Sequence, residues 1–506
     1  MLRKNSLALI LLLLFANIAY AAPDKKLYAK DLLRSSAKHL PNIMRAKQAI
    51  AKQQGELLSS QGAFDRSLDG STDLRRGYYD GKSGGINFSQ PFKQYNSRLY
   101  GGYRVSDGSY PSYDGGLNTQ SGGEVAVGAV FSLLRNRNID ARRAALNNQE
   151  LRLEEVKFSL LIEQLNAQLN ALNAYLEWQA KGLEYIVRKD ILEIANKRQS
   201  ALENEVAAGN KARIFLVENR QNMLKRKTNL RDVERMLNNA AQSLSFYYRD
   251  ANGLPITPTS KQLPDEFMFD LSDNDISKNI KEVQIIAEEL IKKRPDIKSL
   301  ELAISRAKQD EALANNNMLP VLDVNAELSQ DLGQQQLVRE QTESKLKLNL
   351  SIPLQRRVAE GKIASAKATQ RMLEHERSIL TQQLTIELQR IFNDIKIGEE
   401  MVVITAEEMK IAKQLLKAEK SRFADGASDF FLLNIREETL AESRIRHVLA
   451  MQRYYLAISR FLATTMQTKL LMLSENRFTA IRKEKLEAAF LLEYVIVPQS
   501  SNTSNV

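Results

Sequence analysis

VAAGNKARIFLVENR occupies residues 206–220, and FADGASDFFLLNIRE occupies residues 423–437, with their glycines 217 positions apart. Each passes from a polar run through one glycine into an apolar helix start. What lies on either side decides the fold. From Asn138 to Ala208 there is no proline, and Gly182 is the lone glycine; from Gln355 to Asp425 there is again no proline, with only Gly361 and Gly398. Proline and glycine are the residues that break helices. Each stretch therefore predicts one helix of roughly 70 residues, about 100 Å long at 1.5 Å per residue. An ordinary globular helix runs three or four turns, so these predict an extended coiled coil. A glycine just past a helix end supplies a left-handed cap. The chain is expected to reverse at Gly209 and Gly426 and to return as helices over about 213–248 and 430–465.

The periodicity agrees. Phe158, Ile162, Leu165, Leu169, Leu172 and Leu176 are spaced 4, 3, 4, 3, 4, a heptad seam. Leu380, Leu384, Leu388, Ile391 and Ile395 make a looser version in the second long segment.

Ahead of each long helix the period changes to two. In VLDVNAEL, Leu322, Val324, Ala326 and Leu328 alternate with Asp323, Asn325 and Glu327; in KLKLNLSI, Leu346, Leu348, Leu350 and Ile352 alternate with lysines, Asn349 and Ser351. Strict alternation predicts strands. In the first half EVAVGAVF (124–131) and AFDRSLDGSTDL (63–74) alternate in the same way. Between them a Gly- and Tyr-rich section, about 78–121, holds two more candidates, INFSQPF and RLYGGYRV. It reads either as a surface hairpin or as two additional strands. Its tyrosines at 78, 79, 95, 100, 103, 110 and 113 suit an interfacial belt, or loop packing.

The amino terminus sets the compartment. Arg3 and Lys4 precede an apolar run from Leu7 to Phe15, and Ala19-Tyr20-Ala21 supplies small residues for cleavage. Residues 1–21 are expected to be a secretory signal peptide, too short to be a membrane anchor. An exported chain with no cysteine has no disulfides and no cysteine for lipid attachment. Nothing after residue 21 is long and apolar enough for a spanning helix, so membrane insertion would have to be by strands. The +11 net charge is interleaved along the chain, without the Lys/Arg block of a nucleic-acid arm. No nucleic-acid partner is expected.

Laid end to end, residues 22–249 and 294–466 each read helix, strands, long helix, glycine tip, return helix, which predicts two internal repeats. LPNIMRAKQAI (40–50) aligns with RPDIKSLELAI (294–304), and FSLLRNRNIDARRAAL with LSIPLQRRVAEGKIASA. Residues 250–293, with Pro255, Pro258 and Pro264, form the expected connection, and 467–506 the carboxy-terminal tail.

At these junctions and tips the sequence resembles the TolC-like outer membrane efflux proteins. The resemblance covers about residues 30–466. It rests on Pro41 and Pro295, on Leu133-Leu134 and Pro353-Leu354 at the strand ends, and on Gly209 and Gly426. It implies an α+β membrane protein: a homotrimeric outer-membrane β-barrel, about four strands per chain, continued by a coiled-coil α-helical periplasmic tunnel. Four strands are fewer than the eight of the smallest such barrel, which independently requires an oligomer. The implied function is a passive exit duct for tripartite efflux or type I secretion. Its implied partners are outer membrane lipid, a periplasmic adaptor and an inner-membrane transporter.

No catalytic constellation or cofactor motif is found: His39, His375 and His447 stand isolated in helix-forming sequence, and Trp178 is placed for packing. The chain is not expected to be an enzyme or to carry a cofactor or metal. The resemblance assigns adaptor docking to the tips, Gly209, Asn210, Lys211 and Ala212 with Gly426, Ala427 and Ser428. For the periplasmic gate, two aspartates found in several relatives fall here on Leu432 and Ile435, so that acidic ring is absent. Gate candidates are Glu218, Arg220, Asp425, Asp429 and Glu437, with Phe430 and Phe431 as an apolar constriction; Glu438 is a further nearby acid. Two other classes compete. A periplasmic adaptor normally carries one helical hairpin in a split β-domain, and a structural coiled coil of the envelope would leave the alternating strands unexplained.

Overall fold

The computed structural model of the chain describes residues 25–109, 118–270, 289–333, 342–466 and 471. The expected signal peptide, Tyr110 and Tyr113, the acidic middle of the 250–293 connection and nearly all of the tail lie outside the described residues.

The two proline-free stretches are continuous helices. Numbered in chain order, α1 is Ala29–His39 and α2 is Pro41–Gln61. The first long helix, α3, runs Ala141–Ala207 over 67 residues and returns as α4, Ile214–Ser245. Then come α5, Pro295–Asn316, the second long helix α6, Arg357–Ala424, over 68 residues, and its return α7, Phe430–Thr464. Local chemistry fixes the starts. The Asp140 carboxylate accepts the backbone N–H groups of Arg142 at 2.8 Å and Arg143 at 3.0 Å, satisfying donors that a helix start leaves open. Pro295 takes the first position of α5, where a missing N–H does no harm. Among the described residues no helix is long and apolar enough to cross a membrane.

The strands are β1, Ser67–Arg75; β2, Gly81–Pro91; β3, Arg98–Gly108; β4, Glu124–Ser132; β5, Val321–Asp331; and β6, Glu343–Ser351. They form one antiparallel sheet in the order β1-β2-β3-β4-β5-β6. The Tyr-rich section contributes β2 and β3, so the described residues form six strands where about four were expected. The reason is legible in the pairing. Gly85 and Gly102 lie on one face of the central strands, and a Cβ on Gly102 would come within 2.7 Å of the Ile86 carbonyl. Glycines at such close approaches replace the bulky alternating residues by which a strand is recognised.

The register sorts the side chains by face. Leu68, Phe88, Leu99, Val127, Leu328, Leu346, Leu348 and Leu350 stand on one side, while Asp69, Asn87, Tyr100, Arg104, Asn325, Glu327, Lys345 and Lys347 stand on the other. The apolar face is open: Leu68 is 71% exposed and Leu346 72%. Contiguous exposed apolar surface on this scale marks a face that meets lipid or another protein. The polar face is knitted together. Tyr100 reaches across Gly128, where a Cβ would collide with its ring, and donates to Glu327 Oε2 at 2.6 Å, with the Asn325 side-chain amide 2.9 Å from the same hydroxyl. Arg104 pairs with the fully buried Glu124.

The chain divides into two compact units, and neither coincides with one sequence repeat. One comprises Pro41–Glu163 and Ser277–Asn393 and contains the sheet. The other combines the described parts of Met1–Leu40, Gln164–Ile276 and Asp394–Val506. Its core gathers Leu32 and Leu33 of α1, Leu172, Tyr175, Leu176 and Trp178 of α3, Leu244, Leu263 and Phe461, all essentially inaccessible. Within the first predicted seam Leu165, Leu172 and Leu176 are buried, whereas Phe158, Ile162 and Leu169 are half-buried. The buried face also takes in Gln168 and Gln179. Gln168 donates to the Leu33 carbonyl at 3.0 Å and accepts from Ser36, and Gln179 donates to the Tyr175 hydroxyl at 3.1 Å. That hydroxyl donates in turn to the Leu27 carbonyl at 3.0 Å. Burial drives the Tyr175 pKa far above its usual value. Gly182 faces Leu263 so closely that any side chain there would collide with it, which accounts for the one glycine in α3.

Candidate functional site at the hairpin tips

Both tips are built by the same backbone device. Gly209 has φ +76° and Gly426 φ +73°, and neither has anything within 4 Å of where a Cβ would stand. At the first tip the Gly209 N–H reaches the Val206 carbonyl at 3.1 Å and the Asn210 N–H the Glu205 carbonyl at 2.9 Å. At the second, Gly426 reaches Phe423 at 3.2 Å and Ala427 reaches Arg422 at 2.8 Å. This pair of bonds is the Schellman motif, which needs a left-handed residue where glycine stands. The repeated phrase of the sequence is thus a repeated helix stop.

The restarts differ. Asp429 caps α7, its carboxylate accepting the Leu432 N–H at 2.7 Å. Arg213, at the corresponding position of α4, makes no side-chain cap. Of the predicted docking residues Gly209, Asn210, Ala212, Gly426 and Ala427 are exposed, whereas Lys211 and Ser428 are half-buried. The Lys211 ammonium sits 5.1 Å from the centre of the Phe423 ring, tying the first tip to the second. Ser428 donates to Glu419.

The gate candidates separate into two groups. Glu218, Arg220, Asp425, Asp429 and Phe431 are exposed, Phe431 at 70%. Phe430 and Glu437 are inside. Phe430, 4% exposed, meets Phe215 edge to face at 6.2 Å between ring centres, with the Arg198 guanidinium over its ring. The carboxylate of Glu437 is surrounded by cations. Arg198 donates to one oxygen, and Arg226 approaches the other through Nη2 at 3.3 Å and Nη1 at 3.4 Å. Arg226 also donates to the Ile191 carbonyl at 2.8 Å, and Arg198 to Asn434 at 2.6 Å. Glu438 completes the group, 3.1 Å from Arg188 and 3.8 Å from Arg226. Three arginines from α3 and α4 therefore hold two glutamates of α7. Sequence reading picked out the glutamates but not the arginines, each of which looks like one more solvated charge on a polar coiled coil. The positions of the missing aspartates, Leu432 and Ile435, are half-buried and exposed respectively.

Further along α7 Arg446 donates to Glu408 of α6, and that hydrogen bond holds the Glu408 carboxyl below its usual range. His447 lies 3.0 Å through Nδ1 from the Thr405 hydroxyl, and burial pushes its pKa down.

Glycine-capped helical hairpins and an antiparallel sheet with one apolar and one polar face are a fold the chain shares with solved outer membrane channels. Solved structures of that class align with most of the chain. VceC, an outer membrane protein of Vibrio cholerae, is 14% identical, with 86% of this chain and 95% of that one covered at a TM-score of 0.60. The CmeC outer membrane channel of Campylobacter jejuni is 14% identical over 86% and 85% at 0.59. The open-state MtrE outer membrane channel of Neisseria gonorrhoeae is 12% identical over 86% and 88% at 0.58. No protein-family model and no curated protein sequence matches the chain; the likeness is one of fold.

Proposed function

We propose that the chain is the outer-membrane exit duct of a tripartite efflux or type I secretion system. It performs no chemistry of its own. Three copies close one barrel, with the apolar sheet face toward lipid and the polar face toward a wet lumen, as barrel strands require. The two sequence repeats supply two helical hairpins per copy to a periplasmic tunnel. The hairpin tips, Gly209–Ala212 and Gly426–Ser428, dock a periplasmic adaptor that connects the duct to an inner-membrane transporter. Any gate draws on the exposed Glu218, Arg220, Asp425, Asp429 and Phe431. The observation that carries this reading is the two-faced sheet: a soluble sheet this large would cover its apolar side, and here that side is bare.

Photo-crosslinking in the native envelope tests it. The probe belongs at Asn210 and Ala427, which are exposed, rather than at Lys211 or Ser428, which are engaged with Phe423 and Glu419. The expected result is outer-membrane fractionation and capture of one periplasmic protein from both positions. Recovery of the chain in the soluble fraction after lysis would refute the duct.

A further inference from the structure

Among the described residues no strand lies beside β1 or β6, the two edges of the six-stranded sheet. Each is nine residues long. Leu68 and Leu74 on β1 and Leu346, Leu348 and Leu350 on β6 are all more than 60% exposed. Bare edges of matched length invite strand pairing.

We propose that β1 of one copy pairs antiparallel with β6 of the next in a single register, placing Asp73 opposite Lys345 and Arg75 opposite Glu343. The proposal rests on the exit-duct reading and specifies the contact that closes its barrel.

Three observations select this register. A one-residue slip would turn the leucines of one strand onto the polar face of the other, so only even slips are open. In the proposed register the strand ends are flush, Ser67 opposite Ser351, and both charged pairs on the polar face are attractive. Each two-residue slip keeps one attractive pair and adds a like-charge one: one way Asp69 meets Lys347 while Asp73 meets Glu343, and the other way Asp73 meets Lys347 while Arg75 meets Lys345. Like charges directly opposite destabilise a ladder. The third observation is the slope of the sheet. A line crossing the strands through partnered residues runs Ser67, Ser89, Tyr100, Gly128, Glu327, Lys345. In the proposed register it re-enters the next copy at Asp73, six residues above Ser67. One residue per strand, about 3.4 Å of rise over about 4.8 Å of spacing, is a tilt of about 35°. Closed barrels tilt their strands by about 35–45°. The slip that opposes Asp73 to Glu343 gives about 25°, outside that range; the other gives about 43°, within it, and is disfavoured by the like-charge Arg75–Lys345 pair that the proposed register avoids.

Three copies then make an 18-stranded barrel, and barrel diameter grows roughly linearly with strand number. The lumen is thereby about half as wide again as in the 12-stranded barrel first expected from four strands per chain.

The chain has no cysteine, so disulfide mapping needs no background removal. The full-length protein carrying Ser71→Cys with Lys347→Cys, directly opposite in the proposed register, is oxidised in outer-membrane preparations and run without reductant. Expected are covalent oligomers at least fivefold more abundant than from Ser71→Cys with Lys345→Cys or with Asn349→Cys, the two slipped registers. An excess from either slipped pair overturns the proposal. So does the absence of disulfide oligomers from all three pairs when an amine crosslinker still captures oligomers in the outer-membrane fraction; the duct reading would then survive. Failure to reach the outer membrane would refute the duct and the seam together. As a second arm, Arg75→Glu is expected to lower detergent-resistant oligomer at least threefold and Glu343→Arg in the same chain to restore it; no loss, or no rescue, counts against the register.

Discussion

Glu437→Gln is the perturbation that discriminates most sharply between a buried lock and a solvated charge at the tips. The side chain is 1% exposed and its partner Arg226 is 4% exposed. Gln keeps the shape and removes the charge, leaving the Arg198 and Arg226 guanidiniums facing one another with no carboxylate between them. Breaking a buried pair by removing one partner costs about 3–5 kcal/mol, because the remaining charge stays desolvated. Glu438, 3.8 Å from Arg226 and a quarter exposed, offsets part of this, so the lower end, about 3 kcal/mol, is expected. At about 1.36 kcal/mol per tenfold, that raises the opening equilibrium by about 150-fold.

Hydrogen exchange of the intact protein reads this directly, as faster exchange of the first turns of α7 and of α4 around Arg226. Glu442→Gln is the control. Its pair with Arg446 is 3.8 Å long, with both side chains about half exposed, and such pairs contribute less than about 1 kcal/mol. If Glu437→Gln changes exchange no more than Glu442→Gln does, the network carries no stability and the reasoning fails.

Three further outcomes are expected. Phe430→Ala costs about 3–5 kcal/mol in chemical denaturation because it empties a packed site, whereas Phe431→Ala stays within about 0.5 kcal/mol. Gly209→Val and Gly426→Val each force a β-branched residue to positive φ at a cost of about 1–2 kcal/mol or more, seen as proteolytic nicking confined to the tips. Burial disfavours the charged form of His447, so its folded pKa lies below the value of about 6.5 in the unfolded chain. Its contribution is therefore fully present above about pH 6.5 and is lost as pH falls through the folded pKa; thermal unfolding at pH 7.5 and 5.5 should show a drop that His447→Gln reduces.

The helices were legible because their signal is an absence: dozens of consecutive residues without a breaker leave the chain one regular option. The tips were legible because positive φ is nearly reserved for glycine, and Gly209 and Gly426 both adopt it. Strands β4, β5 and β6 announced themselves by alternation. Strands β2 and β3 did so only faintly, because Gly84, Gly85, Gly101 and Gly102 sit where an alternating pattern would show a side chain. The arginine network was the least legible part. Arg188, Arg198 and Arg226 come from two helices, and their partner glutamates lie more than 200 positions further along the chain. No local pattern distinguishes them from arginines that face water.

That network also narrows where a gate can be. A side chain that closes a pore must project into it and must lose or gain partners when the pore opens. In the single chain the Glu437 carboxylate is enclosed by Arg198 and Arg226. Phe430 is likewise held between Phe215 and Arg198. Moving either would break contacts that bind α7 to α3 and α4. Phe431 and Asp429 flank Phe430 in sequence and are exposed. Because Phe430 anchors the first turn of α7, its neighbours are carried on a fixed mount, and a rigid mount is what lets an exposed ring or carboxylate occlude a pore without its own packing. If a gate draws on Phe431 and Asp429, as proposed, the contacts of Phe430 and Glu437 predict that α7 moves together with the α3 and α4 segments that hold it.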